Sequence, residues 1–105
     1  MGKSSRRSAS IKKMPDKIQT LHPDPDKKGV NIDRVKYELV RNGIIHVMTE
    51  NPNLKPLQMF EANATYLKGQ MEGSIAWYSV TVKLDMEARG EIEHDRKKGR
   101  LRLTG

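Results

Sequence analysis

Cysteine is absent from this chain, which excludes disulfides, thiolate metal sites and cysteine nucleophiles. Aromatic residues are scarce, with one Trp, one Phe and three Tyr. Any core must therefore be small and built mainly from aliphatic side chains and methionine. Long apolar runs are also missing. None approaches the roughly 18 residues that a membrane span needs, and no secretory apolar region follows Met1. A cytoplasmic setting with no membrane association is the expectation. A chain of 105 residues suggests one domain.

What the chain does have is positive charge, formally +7, and it is unevenly placed. Lys3, Arg6, Arg7, Lys12, Lys13 and Lys17 face a single carboxylate, Asp16, in the first 17 residues. The remainder is nearly balanced. Residues 1–16 are rich in Ser, Lys and Arg with little to bury, and read as a disordered basic tail. Such an Arg- and Ser-rich, acid-poor start also resembles an organelle transit peptide, a minor alternative. Gly2 lacks the Ser or Thr at position 6 that myristoylation wants, and Gly2-Lys3-Ser4 lacks the upstream glycine loop of a phosphate site.

The domain is expected over 17–105. Lys17–Leu21 is a strand candidate, and His22 to Gly29, with two prolines, is a loop. A first helix starts at Asp33, whose carboxylate can accept the orphan amides of the first turn. Tyr37, Val40, Ile44, Val47 and Met48 then share one stripe, and Pro52 stops the helix. A second helix begins near Pro56, with Leu57, Phe60, Ala64 and Leu67 as its apolar side and Gly69 as its cap.

The third segment is ambiguous. Val80, Val82, Leu84, Met86 and Ala88 alternate with polar residues, a strand signal that would make residues 78–103 a meander. The helical alternative has a cap at each end, Ser74 and Gly90, and a run of good helix formers. It places Ile75, Val82 and Met86 on one side and Trp77, Val80, Leu84 and Ala88 on the other. The caps favour the helix. A hairpin follows, with Ile92 paired to Leu103 and Glu93 to Arg102, turning at Gly99.

Met86-Glu-Ala-Arg-Gly-Glu-Ile92 resembles the end of the third helix in many winged-helix proteins, where glycine breaks the helix and the next strand opens the wing. Glu91 departs from the usual apolar residue there. Trp77-Tyr78 with Leu84-Asp-Met-Glu-Ala-Arg-Gly90 resembles the pattern of a family of small, functionally uncharacterised bacterial proteins. That resemblance implies an α+β winged helix: a short N-terminal strand, three helices and a C-terminal β-hairpin wing. It implies no activity.

The leading expectation is a non-enzymatic domain that binds duplex DNA weakly and without sequence preference. Arg96, Lys97, Lys98 and Arg100 at the wing tip and Lys83 on the third helix are the candidate contacts, since cations at phosphates displace counterions. The helix itself argues against specific readout, because Asp85 and Glu87 cancel Lys83 and Arg89. The alternative is a protein-interaction or homodimerisation domain using the second apolar side of that helix. An exposed Trp77, Val80 and Leu84 would favour this alternative, although Trp77 is expected in the core.

No cofactor, metal or small-molecule substrate is expected. His22, His46 and His94 show no ligand spacing, and Asp24 and Asp26 lack the remaining calcium-loop ligands. Glu91 and Glu93 fall on a surface strand, without the desolvation that acid–base work needs.

Overall fold

The computed structural model describes residues 17–104, so the basic tail expected at 1–16 lies outside the described residues. The element order is β1 (Lys17–Gln19), β2 (Asn31–Asp33), α1 (Arg34–Glu50), α2 (Pro56–Tyr66), α3 (Ile75–Ala88), β3 (Ile92–Asp95) and β4 (Arg100–Leu103). This is the expected α+β order: an N-terminal strand, three helices and a C-terminal antiparallel hairpin. The strand β2 is an addition. It pairs antiparallel with β1, setting Ile18 opposite Ile32. A three-residue strand with one apolar side chain carries no periodicity to read.

Asp33 caps α1 as expected, accepting the Val35 amide at 2.9 Å. Tyr37, Val40, Ile44, Val47 and Met48 are all buried. The apolar side of α2 differs from expectation. Leu57 is 67 % exposed, and the inward row is Met59, Asn63 and Leu67, spaced one turn apart. Phe60 and Ala64 are half-buried beside it.

The third segment is a helix, not part of a meander. Ser74 accepts the Trp77 amide at 3.1 Å, and α3 ends where Gly90 adopts φ 80°, a conformation that costs other residues the clash of their Cβ. The chain then enters β3, and the hairpin has the expected register, Ile92 with Leu103 and Glu93 with Arg102. Ile92 and Leu101 are buried on its inner side. The hairpin is fixed to the α1–α2 turn by a backbone bond from the Leu101 amide to the Leu54 carbonyl, 2.8 Å. Among the described residues, no helix is long and apolar enough to cross a membrane.

Candidate functional site

Two apolar sides competed for the interior of α3, and its rotation decided between them. The inward side carries Ser79, Val82, Lys83, Asp85 and Met86. Polar groups hold it there. Asn63 of α2 donates to the Ser79 hydroxyl at 3.1 Å and to the Val40 carbonyl at 3.4 Å, closing a small polar contact where the three helices meet. One turn and a half along, Asp85 is fully buried. Its carboxylate accepts the Leu21 amide at 2.8 Å and Arg89 Nε at 2.9 and 3.0 Å, and also the Tyr37 hydroxyl.

These bonds satisfy a charge that would otherwise be costly to bury. They also tether the segment after β1 to α3. Burial, and then the bond to Asp85 and its negative charge, push the Tyr37 phenol up to about 12. The same carboxylate raises the Arg89 guanidinium above its ordinary value. With donors on both oxygens, Asp85 is an anchor, and it lines neither of the two clefts that border α3 and Leu21. Nothing in the hydrophobic pattern announces this group. The one sequence signal is the spacing of Asp85 and Arg89, four apart on a helix.

With Asp85 and Ser79 turned inward, the other side of α3 turns outward. Trp77 is 48 % exposed and Val80 38 %, while Leu84 is half-buried. The expectation that Trp77 packs in the core is therefore corrected. Ile75 and Tyr78 pack against the core instead, and the Trp77 ring lies edge-on to Tyr78 with centroids 5.0 Å apart. Leu21 and Val30, from the segment that Asp85 tethers, are also exposed. Together with Trp77, Val80 and Leu84 they line a cleft of 260 Å³, with Lys28 at its edge. A second cleft of 590 Å³ shares Leu21, His22 and Lys28 with the first and adds Lys27 and Ala88.

The expected DNA contacts lie near one another at the hairpin end of the domain, but several are engaged within the protein. Lys83 is 6 % exposed, and its ammonium lies 2.8 Å from Glu87, so the expectation of an open helix-face cation is corrected. Its stem lies on the inward side of α3, where, among the described residues, Glu87 pairs with the charge. Arg96 joins the same carboxylate at 3.3 Å. Arg100 donates to the Asn53 carbonyl at 2.6 Å, reinforcing the hairpin's attachment. Lys97 and Lys98 donate their backbone amides to Asp95 at 3.1 and 3.2 Å. Their ammonium groups have no carboxylate partner among the described residues.

Behind this tip, the His94 imidazole is held below its ordinary value by burial and by the nearby Lys83 and Arg96. Its Nδ1 is buried without a hydrogen-bond partner. Among the described residues, no group of three or more His, Asp or Glu is placed to hold a metal ion.

Residues 17–103 match the family described as Family of unknown function (DUF6958), and the chain belongs to that family. No curated protein and no solved structure matches it.

Proposed function

We propose that this domain is a non-enzymatic protein-interaction module that docks a partner on the outward side of α3. The observation that carries this reading is the exposure of Trp77 and Val80 beside Leu21 and Val30. A large aromatic side chain left half in water, next to three exposed aliphatic ones, is costly for an isolated domain. Tryptophan in that position is the residue type most enriched where binding energy concentrates. The setting we propose is a winged helix in a bacterial cytoplasm. The order of three helices and a hairpin, with the hairpin tied to the α1–α2 turn through Leu101 and Leu54, supports the fold name.

The test is selection of a random peptide library on the full chain, followed by binding of the enriched peptides to Val80→Asp and, as a control on another face, Glu38→Ala. Val80 is already 38 % exposed, so a carboxylate there is tolerated by the fold. Peptides that bind the wild type and the control but not Val80→Asp are the expected result. Failure to enrich any Val80-dependent peptide would overturn the reading.

A second reading, weak DNA binding at the hairpin tip, is favoured by the unengaged ammonium groups of Lys97 and Lys98. It expects the salt dependence of duplex binding by the full chain to fall by about two in log–log slope in Lys97→Ala/Lys98→Ala, roughly one for each phosphate no longer neutralised. Arg96 and Arg100 are unsuitable for this test, because they hold Glu87 and the Asn53 carbonyl.

A further inference from the structure

The two clefts beside α3 adjoin: Thr20, Leu21, His22, Lys28 and Gly29 line both, and together they make a groove along the helix. Val80, Leu84 and Ala88 succeed one another at intervals of one turn along its wall, and Trp77 closes one end. The opposite wall is the segment from Gln19 to Val30. The Trp77 end is mainly apolar, Lys28 lines both clefts, and Lys27 lies on the other one alone. Among the described residues no carboxylate lines either cleft: Asp24 and Asp26 of the same loop lie outside both, and Asp24 is turned back to accept the Asp26 amide at 2.9 Å. From Trp77 to Ala88 the helix rises roughly 16 Å, which an extended chain covers in about five residues.

We infer that the groove takes an extended acidic peptide segment of about five residues. Apolar side chains sit against Trp77 and Val80, and the carboxylates that follow face Lys27 and Lys28. This rests on the docking reading and gives it a ligand chemistry. Charge complementarity selects the partner: cations at one end of an apolar groove favour an acidic segment and disfavour a basic one. A second copy of the chain fits less well. Leu21, Val30, Trp77 and Val80, with the half-buried Leu84 and Ala88, cover a small part of the ~800 Å² per partner that a stable interface buries. A two-fold contact through this groove would also bring two lysine pairs into one interface.

Trp77 is the sole tryptophan, so its fluorescence reports on the apolar end directly. The experiment titrates the full chain with three acetylated, amidated peptides: Leu-Leu-Glu-Glu-Glu, Leu-Leu-Gln-Gln-Gln and Leu-Leu-Lys-Lys-Lys. The expected result is a saturable blue shift with the glutamate peptide that weakens as salt rises. The glutamine peptide binds more weakly, and the lysine peptide does not bind. Lys27→Glu/Lys28→Glu lowers affinity for the glutamate peptide on the order of fivefold to tenfold, as expected when repulsion replaces two exposed ion pairs.

Equal responses to all three peptides, or an unchanged affinity in the double variant, overturn the acidic preference. No response to any of them, while the library yields Val80-dependent peptides of neutral or basic composition, overturns the preference but leaves the docking reading standing. No response together with an empty selection removes both. A dimer in sedimentation velocity that Val80→Asp disperses assigns the groove to a second copy and overturns the peptide proposal.

Discussion

Gly43 lies inside α1, where alanine is normally the better residue by about 1 kcal/mol. Here the reverse is expected. A methyl group at Gly43 would overlap Asn63 Oδ1 and come within 3.1 Å of Asn63 Cγ and 3.2 Å of Leu67 Cδ1. Asn63 cannot swing away without cost. It is fully buried, and its Nδ2 donates to Ser79 and to the Val40 carbonyl. Rotating the carboxamide strands a buried donor, at about 1–3 kcal/mol. Moving α2 away from α1 instead overpacks or opens the core, also about 1–3 kcal/mol. Either cost exceeds the propensity gain near the middle of its range, so Gly43→Ala should destabilise the fold by about 1 kcal/mol net. The thermal midpoint should then fall by roughly 4–8 °C.

The assay is urea and thermal unfolding followed by circular dichroism. The decisive comparison adds Asn63→Ala, which removes the overlapping oxygen. In that background Gly43→Ala should raise stability, reversing its sign, and the difference is the coupling of the pair. A Gly43→Ala protein as stable as wild type, or an unchanged effect in the Asn63→Ala background, would refute the claim that Gly43 sets the α1–α2 distance.

Two pH effects follow from the buried groups. The Tyr37 phenol is raised from 10.0 to about 12, so the fold favours its neutral form. That contribution is complete below pH 10 and is lost as pH rises through 12. It amounts to roughly 3 kcal/mol at most, and Tyr37→Phe should abolish this alkaline loss in unfolding titrations. The His94 imidazole is lowered from 6.5, so the fold favours its neutral form too. Its contribution is present above pH 6.5 and is lost as pH falls below it. His94→Gln should reduce that acid-side loss, and the His94 ring resonances should titrate below 6.5 in NMR.

The elements of this chain were legible because each carries a local signal: Asp33 before a helical stripe, Pro56 at a helix start, and Ser74 and Gly90 bracketing α3. The hairpin register was legible for a similar reason, since one alternation satisfies Ile92 with Leu103 and Glu93 with Arg102 together. The strand β2 and the inward Asn63 were not legible. Each depends on a distant partner, Ile18 in one case and Ser79 with Gly43 in the other.

The site was half legible. The two apolar sides of α3 could be written down from the sequence, but not which one faces inward. Hydrophobicity alone favours burying Trp77, Val80 and Leu84. That would leave Asp85 without the amide of Leu21 and the hydroxyl of Tyr37. It would also free the segment that forms the opposite wall of the groove. One buried carboxylate therefore does two things at once. It keeps its side of α3 inward, which leaves Trp77 and Val80 outward, and it holds Leu21 beside them, while Thr20 bonds Val30 into the same wall. Exposure of Trp77 thus accompanies the way the core is satisfied, and the groove wall at Leu21 is bonded directly to Asp85. A variant that loses the Asp85 bonds should lose the groove before it loses the helices, with Trp77 fluorescence changing at lower urea than the circular dichroism signal. Coincident transitions in Asp85→Asn would break the link between the anchor and the groove.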